Sequence, residues 1–249
     1  MSILNNSLLL GASAAGTTSY IIPRSIRFNA PDSAFLSRTP SVAGNRKTWT
    51  WAGWVKRSNF ADYFMIFSGG TVASDAGELS LMFSNDDTLR VDGGATLFRK
   101  TTQVFRDPSS WYHFVVAFDT TQSTASNRIR IYVNGLEVTA FSTSADPSLN
   151  LDSGVNSATL HTIASQSRGT PYYLNGYLAD IHFIDGQALT PSSFGQFDTN
   201  GIWNPKAYSG GSYGTNGFRL PFSNNASTTT ISQDSSGNNN HWTANNISV

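Results

Sequence analysis

The amino-acid sequence predicts an all-β protein, an antiparallel jelly-roll sandwich of two sheets. Short runs rich in aromatic and β-branched residues alternate apolar and polar side chains, which is the period of a half-buried strand. Clusters of Gly, Asn, Asp, Ser and Pro separate these runs, as turns do in sandwiches. No window of a dozen residues shows the i, i+3, i+4 apolar spacing of an amphipathic helix.

The predicted strands follow one another along most of the chain. In order they span residues 25–29, 48–55, 78–83, 88–91, 111–118, 128–133, 177–184 and 217–222. Asn134-Gly135 ends the sixth run and predicts a tight hairpin turn. Because hairpin neighbours bury the same face, one core should receive the alternate residues of two runs, namely Phe114, Val116, Phe118, Ile129, Ile131 and Val133. The best short helix is 190–194, where Thr190 can cap and Pro191 suits the first position.

Composition limits the classes of partner. Hydrophobic residues make up 39%, enough for a sizeable core, whereas charged residues make up 13%, about half the usual share of about 25%. The 16 basic and 16 acidic side chains cancel, so we expect no nucleic-acid partner. No stretch approaches the roughly 20 apolar residues of a membrane span, so no membrane insertion is expected. Without Cys, neither disulfides nor Cys-ligated metals hold the fold.

Residues 1–22 are predicted to form an extended N-terminal arm. The run 8–10 and the small residues after it resemble a signal peptide, but no Lys or Arg precedes Arg24, so the positive region of such a peptide is missing. The segment is apolar yet too short to build a core. We expect it to dock on a neighbouring protein through its large apolar residues, Ile3, Leu4, Leu8, Leu9 and Leu10.

Four features in order resemble the concanavalin A-like lectin/glucanase superfamily, and within it the laminin-G-like branch. They are SIRFN with FLS (25–29 and 35–37), WTWAGWVKR (49–57), WYHFVVAFD with IYVNGLEV (111–119 and 131–138), and LNGYLADIHFIDGQALTP (174–191). The resemblance implies a concanavalin A-like sandwich over residues 23–198, with lectin or glucanase activity as the family's known functions.

The Gly/Ser/Asn-rich segment 199–249 leaves two interpretations open. DSSGNNNHWT (234–243) resembles the segment that normally precedes the first strand of such domains, but here it comes last. Either it packs on the sandwich in permuted order, which the strand pattern at 217–222 favours, or it begins another module. This ending also resembles virion proteins of tailed bacteriophages that carry the fold.

Catalytic and metal sites are not predicted. The glucanase resemblance implies paired carboxylates on one strand, but run 177–184 offers only Asp180, with Asp185 at its end. His113 and His182 lie in predicted strands and His161 is expected to lie in a further strand, so packing roles are favoured for all three. Loop carboxylates could present oxygens to Ca²⁺, but without a clustered acidic loop solvated turns are favoured and no cofactor is predicted. These carboxylates are Asp75, Glu78, Asp86 and Asp87.

Sugar binding needs aromatic faces and planar polar groups on loops of a rigid sheet. Arg168, Tyr172 and Tyr173 offer this content in one loop, and Trp203 and Tyr208 offer it in a Gly-rich segment. Tyr63 and Phe64 are a third possibility. The alternative for each is an ordinary packing contact.

The sequence therefore predicts a non-enzymatic virion protein of a tailed phage, either a capsid decoration or a fibre or spike component. It would be made in the host cytoplasm, held to other virion proteins by the arm as a homo-oligomer or on a lattice, and displayed on the particle surface. The alternative is an adhesin module that recognises cell-surface glycans.

Overall fold

Two large antiparallel sheets organise residues 20–169 and 171–249, the part of the chain that this computed structural model describes. The all-β sandwich predicted from the sequence is confirmed. The predicted arm contacts Ile3, Leu4, Leu8, Leu9 and Leu10 lie outside the described residues.

Seventeen strands are present in the described chain. They are β1 (Ile26–Phe28), β2 (Phe35–Arg38), β3 (Thr48–Arg57), β4 (Phe64–Gly70), β5 (Glu78–Phe83), β6 (Thr88–Gly93), β7 (Leu97–Val104), β8 (Tyr112–Asp119), β9 (Ile129–Val133), β10 (Leu136–Glu137), β11 (Phe141–Ser144), β12 (His161–Ile163), β13 (Gly176–Asp185), β14 (Gly195–Phe197), β15 (Trp203–Pro205), β16 (Phe218–Leu220) and β17 (Thr243–Asn245).

Helical structure in the described chain is confined to short pieces. The helix α1 spans Thr228–Ile231, and 3-10 turns span Ala30–Asp32, Ala125–Asn127 and Pro191–Ser193. The last of these is the predicted short helix, although the side chain of Thr190 makes no cap hydrogen bond. None of the helices in the described ranges is long and apolar enough to cross a membrane.

The first sheet has the strand order β1-β13-β3-β8-β9-β10, with β16 also pairing along β13. The second sheet has the order β11-β7-β6-β5-β4-β12-β2-β17, and β14 pairs separately with β15. Nearest neighbours are antiparallel throughout.

One apolar core fills the space between the two large sheets. The residues predicted to face inward on β8 and β9 all belong to this core, as the alternation of side chains along a strand requires. They are Phe114, Val116, Phe118, Ile129, Ile131 and Val133. Trp49 of β3 stacks on Phe118 with ring centroids 4.9 Å apart. Each such side chain contributes about 1.5–3 kcal/mol when it is fully buried.

The predicted hairpin turn joins β9 to β10. Asn134 and Gly135 both have positive φ, 48° and 84°, which is the type I′ geometry that matches the twist of the flanking strands. A Cβ atom on Gly135 would lie 2.3 Å from the Trp203 ring. The position therefore requires glycine for its dihedral angles and for its close approach to that ring.

The C-terminal segment contributes a strand to each large sheet. β16 pairs with β13 in the first sheet, and β17 pairs with β2 in the second. The carboxylate of Asp234 accepts backbone hydrogen bonds from Arg219 and Asn240, both at 2.8 Å, and Trp242 packs edge-on against Phe218. The contacts of the DSSGNNNHWT motif thus hold the C-terminal segment against the sandwich.

The outer face of the first sheet is covered by the segment that follows β13. Trp203 of β15 packs with Trp54 and Ala179, and Tyr208 packs on a neighbouring cluster that includes Phe194. These contacts give both aromatic residues a structural role on this face.

Candidate functional site

A groove of about 400 Å³ opens on the outer face of the second sheet. Its floor is formed by β5 and β6, one wall by the β6–β7 turn, and the other wall by the loop between β12 and β13. We call the latter the covering loop, residues 164–169 and 171–174. The volume lies in the range of about 300–1,000 Å³ typical of small-ligand sites.

Strand alternation builds the floor. On β5, Leu79 and Leu81 point into the core, so Glu78, Ser80 and Met82 face outward. On β6 the same alternation turns Arg90 and Asp92 outward, since Leu89 and Val91 are core residues. The register pairs Ser80 with Asp92, so the polar side chains of two neighbouring strands lie side by side.

Hydrogen bonds hold the covering loop against the sheet. The Ser167 hydroxyl lies 2.8 Å from the Ser68 hydroxyl and donates to the Gly70 carbonyl at 2.5 Å. The loop is closed where the Leu174 N–H donates to the Ala164 carbonyl at 2.9 Å. These bonds fix the positions from which Arg168 and Tyr172 reach the groove.

The opposite wall is the turn 93–96, which Asp75 holds in place. One Asp75 oxygen accepts the backbone N–H groups of Ala95 at 3.1 Å and Thr96 at 2.7 Å, and the other accepts the Thr96 hydroxyl at 2.7 Å. A Cβ atom on Gly94 would lie 2.5 Å from the backbone of Ser74. Only glycine therefore lets the turn pack this closely.

The charged groups of the groove occur as ion pairs. Arg168 Nε lies 2.5 Å from Glu78 Oε2, and Gln166 donates to Glu78 Oε1 at 2.8 Å. Arg90 Nε lies 2.5 Å from Asp92 Oδ2. Burial raises the pKa of Asp92, the neighbouring Glu78 raises it further, and Arg90 opposes both effects.

Two tyrosines form the aromatic part of the groove. The rings of Tyr63 and Tyr172 have centroids 5.3 Å apart and are tilted by 47°, and Arg90 lies over the Tyr63 ring at 5.6 Å. Tyr172 is 38% exposed, so part of its ring is open to a ligand. Aromatic faces beside hydrogen-bonding groups suit the apolar and polar faces of a sugar ring.

The structure brings together only some of the residues predicted from the sequence. Arg168 and Tyr172 line the groove, whereas Tyr173 leaves it and packs near Phe35 with ring centroids 6.1 Å apart. Trp203 and Tyr208 lie on the other sheet, where the 9% exposure of Trp203 leaves no face for a sugar. Phe64 is buried in the core.

Sequence reasoning missed most of the floor. Arg90, Asp92, Ser80 and Gln166 were not selected, and Glu78 was considered only as a calcium ligand. Alternation on β5 and β6 was a usable signal for which residues face outward. Nothing local indicated that the covering loop would fold over them, because Arg168 and Glu78 lie 90 positions apart in the chain.

The loop carboxylates considered for Ca²⁺ are each engaged within the protein. Asp86 pairs with Lys100 at 2.7 Å, and Asp87 pairs with Arg57 at 2.8 Å and with Arg106 at 2.7 Å. Within the described ranges, no three His, Cys, Asp or Glu side chains come together as a metal site.

A second polar cluster lies on the outer face of the first sheet, around Asp180. Its carboxylate accepts Tyr20 Oη at 2.7 Å and Arg219 Nε at 2.9 Å, and lies 3.3 Å from His182 Nε2. Burial alone would raise the pKa of Asp180, but His182, Arg219 and the Tyr20 hydrogen bond hold it well below its usual range. This carboxylate is a buried ionised anchor for Tyr20 at the start of the described chain.

Solved structures similar to the chain include a candidate carbohydrate-binding protein of Bacteroides ovatus, with 18% identity, 68% of this chain and 44% of that one covered, and a TM-score of 0.48. A heptameric SAP-like pentraxin from Limulus polyphemus shares 18% identity over 69% of this chain and 80% of that one, with a TM-score of 0.49. Trypanosoma rangeli sialidase shares 18% identity over 59% of this chain and 22% of that one, with a TM-score of 0.41.

These likenesses concern the fold and not the ligand. The chain spans less than half the length of the Bacteroides protein and about a fifth of the sialidase. No curated protein matches the chain. The model of the concanavalin A-like lectin/glucanases superfamily matches residues 32–194, more than half of the sequence, and the chain therefore belongs to that superfamily.

Proposed function

We propose that the chain is a non-enzymatic carbohydrate-binding module whose glycan lies in the groove on the second sheet. The observation that carries the proposal is the combination of the Tyr63–Tyr172 aromatic pair with a floor of hydrogen-bonding side chains inside a cavity of about 400 Å³. A sugar can stack its C–H face on such rings while its hydroxyl groups reach the floor.

The ion pairs of the groove support binding rather than hydrolysis. Glycoside hydrolysis needs one carboxylic acid to donate a proton and a second carboxylate to attack or to activate water. Glu78 is held by Arg168 and Gln166, and Asp92 is held by Arg90. Both oxygens of Glu78 are therefore engaged, and Asp92 alone among the described carboxylates of the lining keeps an unpaired oxygen, which is one group short of the pair that hydrolysis needs.

Neighbouring tyrosines allow a matched test of the site. Tyr172 lines the groove, and Tyr173, the next residue, does not. After a glycan array has identified a ligand, calorimetric titration should show about tenfold weaker binding for Tyr172→Ala, which corresponds to about 1.4 kcal/mol, because a stacking face is lost. Tyr173→Ala should bind like the wild type. Equal affinities for wild type and Tyr172→Ala would contradict the proposed site.

The setting proposed for this module is the surface of a tailed-phage particle, as a capsid decoration or a fibre or spike component. The absence of Cys, the charged share of 13% and the phage-like ending 234–243 support it. The arm would bind other virion proteins, and the chain would assemble as a homo-oligomer or on a lattice. Quantitative mass spectrometry of purified particles tests this setting. Hundreds of copies indicate a decoration, a few to tens indicate a fibre or spike, and absence contradicts it.

A further inference from the structure

We infer that the groove selects neutral, hydroxyl-rich glycans and discriminates against acidic ones. The inference rests on the proposed function, because it specifies the ligand class of the same site. It follows from the charges of the floor and from the hydrogen-bonding atoms that remain free there.

Two carboxylates and two guanidinium groups make the lining of the groove electrically balanced. The side chains of Glu78 and Asp92 are 3% and 13% exposed, and those of their partners Arg168 and Arg90 are 32% and 22% exposed. Each guanidinium group is thus already paired with a carboxylate that is more deeply buried than itself. An acidic ligand would find no unmatched positive charge among the described lining residues.

The free polar atoms of the floor suit a hydroxyl group. Both nitrogens through which Arg90 pairs contact Asp92 Oδ2, so Asp92 Oδ1 has no hydrogen-bond partner among the described residues. Arg168 uses Nε for Glu78, and its terminal nitrogens make no hydrogen bond within the described ranges. A sugar hydroxyl can donate to a carboxylate oxygen and accept from a guanidinium N–H, which satisfies both kinds of group.

An anionic group on the ligand can accept from the Arg168 terminal nitrogens but cannot donate to Asp92 Oδ1. A carboxylate or sulfate only accepts hydrogen bonds, so it would set acceptor oxygens against Asp92 Oδ1. It would also bring a third negative charge to a floor where Glu78 already raises the pKa of Asp92. Repulsion between like charges in a partly buried site weakens the binding of an acidic ligand. It does not act on a neutral ligand, so it gives selectivity between the two.

Matched polysaccharides test the selectivity of the full chain. The neutral set is dextran, mannan, galactan and xylan, and the acidic set is alginate, hyaluronan and polysialic acid, each measured by affinity electrophoresis and confirmed by calorimetry. We expect at least one neutral polymer to bind and every acidic polymer to bind at least tenfold more weakly. We also expect neutral binding to change less than twofold between 0.05 and 0.5 M NaCl, because no net charge is exchanged.

The variant Asp92→Asn identifies the group responsible. It keeps the shape but removes the negative charge, so the ratio of neutral to acidic affinity should fall at least threefold. Asp152→Asn changes an exposed carboxylate outside the groove lining and should leave that ratio unchanged. Circular dichroism checks that both variants are folded, and an unfolded Asp92→Asn is replaced by Asp92→Ser.

The outcomes separate this inference from the proposed function. A preference for an acidic polymer, lost in Tyr172→Ala, would overturn the inference and leave the carbohydrate site in place. An unchanged ratio in the folded Asp92 variant would also overturn it. Failure to bind any polymer of either set, together with no hit on a glycan array, would overturn both the inference and the proposed function.

Discussion

His161, at the start of β12, should make the fold sensitive to mild acid. Its ring is 5% exposed and uses both nitrogens in one tautomer. The Asn156 backbone N–H donates to Nε2 at 2.8 Å, and Nδ1 lies 2.8 Å from the Thr159 carbonyl, to which its proton must be donated. A second proton on Nε2 would point at the Asn156 N–H, so the structure accommodates only the neutral ring.

The size of the effect follows from the pKa of this group. Burial lowers the pKa of His161 from 6.5 to about 4. Because the pKa is lower in the folded chain than in the unfolded chain, the stabilisation is complete above pH 6.5 and is lost as the pH falls toward 4. At about 1.4 kcal/mol per pH unit, the loss between pH 7 and pH 4 is about 3 kcal/mol. His113, whose pKa burial lowers to about 3, adds to the same trend.

Urea unfolding followed by tryptophan fluorescence at pH 7, 6, 5 and 4 measures this loss. His161→Gln can still accept from Asn156 and donate to Thr159, but it does not titrate. The free energy of unfolding of the variant should therefore gain about 3 kcal/mol relative to wild type between pH 7 and pH 4. His241→Gln alters an exposed histidine and serves as the control. Parallel pH profiles for wild type and His161→Gln would refute the reasoning.

Two further substitutions test the packing. Gly135→Ala should lower the free energy of unfolding by at least about 2 kcal/mol, because a Cβ atom would meet the Trp203 ring at 2.3 Å and the positive φ would also be strained. The control is Gly201→Ala, where φ is 77° and the space is open, so only the dihedral strain of about 1 kcal/mol applies. Equal losses for the two variants in chemical denaturation would contradict the ring contact. Asp87→Asn should cost about 3–5 kcal/mol, because it leaves the guanidinium of Arg57, which is 1% exposed, without its buried partner. Adding Arg57→Met should recover part of that loss, and strictly additive losses would show that the pair is not coupled.

Local patterns in the sequence were sufficient for much of the sandwich. The inward residues of β8 and β9 and the Asn134-Gly135 turn follow from alternation and turn chemistry over a few residues. Nine of the seventeen strands in the described chain lie outside the predicted runs, and the two longest of these, β4 and β7, were missed for physical reasons. β4 is buried on both faces and carries a register shift between Met65 and Phe67 that interrupts its alternation. β7 is rich in Arg, Lys, Thr and Gln, which conceals its pairing.

The candidate site was less accessible to sequence reasoning because its members meet only after folding. Arg168 and Tyr172 were found from loop composition, which describes an accessible polar and aromatic segment. The same composition also selected Trp203 and Tyr208, since aromatic residues in a Gly-rich segment look alike whether they cover a sheet or bind a ligand. Nothing in the sequence around Asp92 indicates a binding role, because that role depends on the neighbouring strand β5 and on the covering loop.

The hydrogen bonds of Tyr20 to Asp180 and Arg219 have a practical consequence for handling the protein. They fix the start of the described chain to the face of the sandwich opposite the groove, with both sheets in between. A bead, sensor chip or label attached on this face, beside Tyr20, would therefore leave the groove pointing into free solution. Since the chain has no Cys, one cysteine placed at the exposed position of Ile21 would give a single attachment chemistry and a uniform orientation.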